Sequence, residues 1–164
     1  MMPLRGTDRP HGVLVLAGFL AATFAVAGVS SVFTVAQIPT WYATLVKPSF
    51  NPPNRIFGPV WTVLYALMAV AAWRIWKLPS STLRMRGLRL FWVQLVLNFA
   101  WSFLFFGAHR IGLAGIEIIL LWAAILAATI VFFRLDRLAG AFFSLYLAWV
   151  SFASVLNLSI WLKN

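Results

Sequence analysis

Apolar residues run through this chain in five long blocks, separated by short polar or proline-rich connections. The blocks predict helices over about 13–35, 55–76, 87–106, 113–133 and 138–162. Each is close to the roughly 20 residues needed to cross a hydrocarbon core. Short connections between such helices predict an up-and-down bundle of antiparallel neighbours. The expected fold is therefore all-α: a single membrane domain of five transmembrane helices over residues 13–164, preceded by a short polar tail over residues 1–12. The first block contains Ala25-Val26-Ala27, similar to a signal-peptidase site. It outlasts the roughly 7–15 residues of a signal-peptide core, so it reads as a retained helix.

One connection differs from the rest. Trp41 to Tyr65 reads WYATLVKPSFNPPNRIFGPVWTVLY and holds Pro48, Pro52, Pro53 and Pro59. Proline fixes φ and drives the preceding residue to extended backbone, so Lys47 to Asn54 should be a stiff non-helical segment. Trp41, Tyr42, Phe50 and Phe57 make it aromatic as well. Two readings fit: a rigid loop that covers or contacts a ligand, or an anchor at the membrane interface, where Trp and Tyr are enriched.

Composition agrees with the pattern. Of 164 residues 63% are hydrophobic and 10% charged, with a mean hydropathy of +0.92. A soluble domain has no use for so much apolar surface. The net charge of +10 would suggest nucleic acid in a soluble protein. Here the cations sit in the connections, where they meet headgroups, and no nucleic-acid motif accompanies them. Arg5, Arg9, Arg74, Lys77, Arg84, Arg86, Arg89, Arg134 and Arg137 fall on the N-terminal side, against Lys47, Arg55, Arg110 and Lys163 on the other. The positive-inside rule then places the N-terminus in the cytoplasm. Without cysteine, disulfides and thiolate metal sites are excluded. His11 and His109 lie outside the apolar blocks, which argues against a membrane-embedded bis-histidine haem site. No metal or cofactor is expected.

Polar and aromatic residues inside the blocks fall on stripes. Gln94, Asn98, Trp101 and Phe105 share one helical face, as do Tyr146, Trp149, Ala153 and Asn157; Trp61 and Tyr65 are one turn apart. Amides in a membrane span must find partners, so they either tie helices together or line a cavity. Aromatics with a few amides and one small residue suit a flat apolar ligand, and equally suit core packing. Trp41, Trp73, Trp76, Trp92 and Trp161 lie near helix ends, as an interfacial belt would, whereas Trp61, Trp101, Trp122 and Trp149 lie deeper. Glu117, the one acid within an apolar block, is a functional candidate by its position. Hydrolytic or phosphate-cradling motifs are missing.

In order along the chain, W-Y-x-x-L-x-K-P at Trp41–Pro48, Pro52-Pro53, P-V-W-x-x-L-Y at Pro59–Tyr65, Q-L-x-L-N-x-x-W at Gln94–Trp101, F-F-G-A at Phe105–Ala108, Y-L-A-W at Tyr146–Trp149 and Leu156-Asn157 resemble the TspO/MBR family. That family includes tryptophan-rich sensory proteins and the mitochondrial translocator protein, or peripheral benzodiazepine receptor. The resemblance implies a five-helix membrane bundle, commonly a homodimer. It implies a pocket beneath the first loop for porphyrins such as protoporphyrin IX, and in some members for benzodiazepine-type drugs and cholesterol. The ligand-binding residues so expected are Trp41, Phe57, Trp61, Tyr65, Gln94, Asn98, Trp101, Tyr146, Trp149, Ala153 and Asn157, with Lys47, Pro48, Pro52 and Pro53 in the covering loop. Light-dependent porphyrin breakdown, implied for some bacterial members, would use Trp61 and Trp149; otherwise an enzyme is not expected. Transport of such ligands is the remaining alternative. Glu117 matches an acidic position of the family's fourth helix. Leu145 stands where the family often has proline before the fifth-helix tyrosine. The tyrosine of the animal cholesterol motif is missing after Leu156-Asn157, so cholesterol is not expected as the physiological ligand. Nothing resembles an Arg- and Ser-rich transit peptide, which favours a bacterial cell membrane.

Overall fold

The computed structural model describes residues 9–164. It contains α1 (Arg9–Gln37), a short α2 (Trp41–Thr44), α3 (Asn54–Trp76), α4 (Thr82–Ser102) continued by a π-helical turn (Phe103–Gly107), α5 (Ile111–Leu135) and α6 (Arg137–Trp161). Five of these, all but α2, are long and apolar enough to cross a membrane. Among the described residues there is no strand.

The helices outrun the apolar blocks because a helix need not stop where hydrocarbon stops. The polar tail expected over 1–12 lies outside the described residues up to residue 8. From Arg9 the chain is helical, so His11 sits in the first turn of α1 rather than in a tail. α4 begins at Thr82 rather than near Gly87, because Ser81 caps it: its side chain accepts the Arg84 N–H at 3.2 Å. The basic turns carrying Arg84 and Arg86 therefore project as helix from the apolar region. α5 and α6 are separated by Asp136 alone, whose carboxylate caps α6 by accepting the N–H groups of Leu138 and Ala139. The same carboxylate takes a hydrogen bond from the Arg74 guanidinium at 2.7 Å, which ties α3 to this turn. Burial pushes the pKa of Asp136 up, but Arg74 and the two cap N–H groups outweigh it and hold the carboxyl below its usual range.

Around the bundle the order is α1, α3, α6, α5, α4, closing back on α1. The α5–α6 pair is packed most extensively: Gly140 lies directly against Phe133, and Trp122 Nε1 donates to Ser151 Oγ at 2.8 Å. α1 is the most peripheral helix, held at its start by Trp73 Nε1 donating to the Gly12 carbonyl at 2.7 Å. The half of the bundle near the N-terminus is solid. Ala69, Ala71 and Ala72 let α3 approach closely, and Phe91, Phe132, Phe143 and Ile125 fill the middle. The half nearer the proline loop is built from larger rings, among them Tyr42, Phe105 and Phe106. There the helices do not close on one another.

Candidate ligand cavity

At this wider end the bundle encloses a cavity of about 590 Å³. α1 supplies one wall through Phe24, Ala27, Gly28, Ser30, Ser31, Thr34, Val35 and Ile38. α3 supplies Phe57, Gly58, Trp61, Thr62 and Tyr65; α4 supplies Trp101 and Ser102, its π-turn Phe105 and Phe106; α6 supplies Ala153, Leu156, Asn157 and Ile160. Tyr42 closes the top, and Asn54 and Arg55 stand at the rim. The π-turn matters to this geometry. Ala108 N–H reaches the Phe103 carbonyl at 2.7 Å, a wider loop than the α-helix makes, and it turns Phe105 and Phe106 together toward the interior.

Of the residues singled out from the sequence, Phe57, Trp61, Tyr65, Trp101, Ala153 and Asn157 meet at this cavity. Trp61 is half-buried, with its ring 5.6 Å from Tyr65 and 6.2 Å from Tyr146. Trp101 is fixed from behind, its Nε1 donating to Asn157 Oδ1 at 3.1 Å while Asn157 Nδ2 donates to the Ile111 carbonyl. Asn98 stands one layer out. Its Oδ1 accepts from Tyr65 Oη at 2.5 Å and its Nδ2 donates to Tyr146 Oη at 3.0 Å, joining α3, α4 and α6. Tyr146 is wholly buried and does not reach the cavity. Gln94 is buried too, but Nε2 bonds only to the Phe91 carbonyl of its own helix and Oε1 has no partner among the described residues. Trp149 lies outside the lining, packed edge-on to Phe57 with centroids 6.0 Å apart. Trp41 is turned to the other side of the loop and stacks on His109 at 4.1 Å. Glu117 is buried in α5, away from the cavity wall.

The proline loop runs without helix from Leu45 to Pro53. Polar ties hold it. Tyr42 Oη donates to Asn51 Oδ1 at 2.8 Å, and burial pushes that phenol up to about 12. Asn164 brackets Val46, accepting its N–H at 3.0 Å and donating to its carbonyl at 3.1 Å. Lys47 Nζ donates to the Leu45 carbonyl at 3.0 Å and lies over the Tyr42 ring, which leaves it turned into the loop. Pro48 is buried beneath the loop, Pro52 half-buried and Pro53 exposed. Lys47 and the three prolines do not line the cavity. Arg55 does, and among the described residues its guanidinium has no ion-pair partner.

The α1 wall was not legible in the sequence. Its Gly28, Ser30, Ser31 and Thr34 look like the small residues of any helix contact. Phe105 carried a signal as part of the Gln94 stripe, whereas helical spacing puts Phe106 off that stripe and only the π-turn brings it to the cavity.

Five membrane-length helices around an aromatic cavity define an integral membrane protein with an interior chamber of ligand size. Residues 19–162 match the TspO/MBR family. Over 153 residues the chain is 40% identical to the tryptophan-rich protein TspO of Chlorobaculum tepidum, covering 90% of this chain and 94% of that protein. It is 37% identical over 149 residues to the human translocator protein, covering 90% and 88%. With the tryptophan-rich sensory protein of Cereibacter sphaeroides it shares 38% over 117 residues, covering 71% and 72%. The chain belongs to the TspO/MBR family. None of these three relatives bears the name of an enzyme.

Proposed function

We propose that this protein binds a flat, largely apolar tetrapyrrole with acidic side groups, protoporphyrin IX being the model ligand, and acts as a binding or sensing protein rather than an enzyme. The observation that carries it is the cavity wall: Trp61, Tyr65, Trp101, Phe105 and Phe106 present ring faces and edges around about 590 Å³. That volume falls within the roughly 300–1,000 Å³ of small-molecule sites. A planar ring system gains both buried area and aromatic contact there. Arg55 at the rim meets the carboxylates, a role that Lys47, tied into the loop, is not free to take. The names of the relatives, sensory and translocator, fit a ligand-responsive membrane protein.

Tryptophan quenching by protoporphyrin IX, titrated in detergent in the dark, tests this. Saturable quenching should weaken clearly in Trp61→Phe and little in Trp149→Phe, since only the first ring lines the cavity. Arg55→Gln should weaken binding of the free acid by about 2- to 5-fold, the worth of an exposed ion pair, and leave its dimethyl ester unaffected. Unsaturable quenching, equal in all variants, would mean that porphyrin merely partitions into the micelle.

A further inference from the structure

The cavity wall contributed by α1 and α3 is at the same time lipid-facing surface. Phe24, Gly28, Ser31 and Val35 succeed one another along one face of α1 at steps of four, three and four; all are exposed and all line the cavity. Gly58 and Thr62 do the same on α3. A residue in the middle of a membrane-spanning helix that is both exposed and in the wall of an interior cavity marks an opening toward lipid. This one extends along α1 from Phe24 to Val35, about 16 Å at 1.5 Å per residue. It therefore runs from the middle of α1 to its loop end.

The rim of this seam is small and chemically quiet. A side chain built at Gly28 or at Gly58 would meet nothing within 4 Å. Ser31 Oγ donates back to the Gly28 carbonyl at 2.7 Å, and Thr62 Oγ1 to the Gly58 carbonyl at 2.9 Å. Both hydroxyl protons are thus used within their own helices, and an apolar ring passing between them desolvates no free donor. The loop above is in the opposite condition. Tyr42–Asn51, Lys47–Leu45 and the two Asn164–Val46 hydrogen bonds all hold it down. Entry past the loop would break these bonds, whereas entry through the seam breaks none.

We infer that the ligand of this cavity enters sideways from the bilayer, through the seam between α1 and α3, and not from water past the proline loop. The ligand class follows: a molecule that dissolves in the membrane with its acidic groups at the interface, where Arg55 stands at the upper end of the same seam. Its ring slides in beneath while the charged end stays near Arg55. This rests on the cavity being the ligand site proposed above.

The chain has no cysteine of its own, so single cysteines test the route. Ser31→Cys, Thr62→Cys and, as a control outside the cavity lining, Val96→Cys in α4 (67% exposed) are reconstituted in vesicles and labelled with a bulky alicyclic maleimide. Protoporphyrin IX association is then followed by tryptophan quenching in the dark. Labels at Ser31→Cys and Thr62→Cys should slow association by roughly tenfold and slow dissociation as well, because a gate changes the rate in both directions. Labelled Val96→Cys, and an unlabelled Asn164→Ala variant that loosens the loop, should associate at the rate of the unmodified protein. Association at the unmodified rate in the two seam-labelled proteins, or faster association in Asn164→Ala, would place entry at the loop and overturn the inference. So would loss of saturable binding on seam labelling, which would put the labels inside the site. Seam cysteines that react in unfolded protein but not in the vesicle would show a second copy covering the seam, with the same consequence. Unmodified protein without saturable quenching would remove the porphyrin site itself, a result distinct from any of these.

Discussion

Asn98 and Gln94 lie one turn apart on the same face of α4, both are amides, and both are buried, yet their replacement by leucine should have unequal consequences. Leucine is close to both in size, so packing changes little and the hydrogen bonds decide. Asn98→Leu removes the acceptor of Tyr65 Oη and the donor to Tyr146 Oη, the two bonds that join α3 and α6 through α4. Interhelical hydrogen bonds in membrane proteins are worth about 0.6 kcal/mol on average and up to about 1.7. Two of them, with both phenols left in a dry core, give a loss of about 1–3 kcal/mol. At about 1.4 kcal/mol per decade, that shifts the unfolding equilibrium by roughly 5- to 150-fold. Gln94→Leu removes only a bond to its own helix at Phe91 and an oxygen with no partner among the described residues. Stability should be unchanged within about 0.5 kcal/mol or rise, since an unsatisfied buried acceptor is itself unfavourable. Unfolding of both variants in SDS, followed by far-UV circular dichroism, gives the comparison. Equal losses in the two, or a greater loss for Gln94→Leu, would refute the assignment of Asn98 as the interhelical tie.

Asp136→Ala should lower stability by about 1–3 kcal/mol, from a lost helix cap worth about 0.5–2 and a lost ion pair worth about 0.2–1; the thermal midpoint in detergent reads it. Because the folded carboxyl titrates below its usual range, its contribution is fully present above the unfolded value near pH 4 and fades as pH falls through the folded value. The wild type should therefore lose its advantage over Asp136→Ala only in acid, and a difference that persists undiminished well below pH 4 would exclude this linkage. Gly140→Ala should cost about 1–3 kcal/mol, because the new methyl meets both the ring and the backbone of Phe133. Gly18→Ala, with nothing within 4 Å, should gain about 0.5–1 kcal/mol of helix propensity. A similar midpoint for the two glycine variants would argue against the close α5–α6 contact. The Tyr42 phenol, raised to about 12 by burial, should ionise well after exposed tyrosine near pH 10. The loop it helps to hold should loosen only through that window, as the ultraviolet phenolate band reports, and ionisation already complete near pH 10 would mean that Tyr42 is not buried.

The number of membrane helices, their order and the break in helix before α3 could be read directly from the chain, because hydropathy and proline act locally and need no tertiary partner; the non-helical stretch ends at Pro53, one residue before the expected Asn54. The stripe carrying Asn98 and Trp101 was legible too, since helical periodicity fixes which residues share a face. What periodicity cannot fix is which neighbour a face meets. Trp61 and Trp149 looked equivalent as deep tryptophans; the packing of α6 against α3 put Phe57 between Trp149 and the cavity and left Trp61 in its wall. The charge pattern placed Lys47 and Arg55 alike on the side opposite the N-terminus; the fold of the loop commits one to its own backbone carbonyls and leaves the other at the rim of the cavity. α1 carried no signal of ligand contact at all, because Gly28, Ser31 and Thr34 acquire their role only from the gap that α3 leaves beside them. The chain by itself determined that there would be a membrane bundle with a proline-broken aromatic loop. Where that bundle stays open was decided only by the packing of all five helices, since a cavity is a property of the space between them.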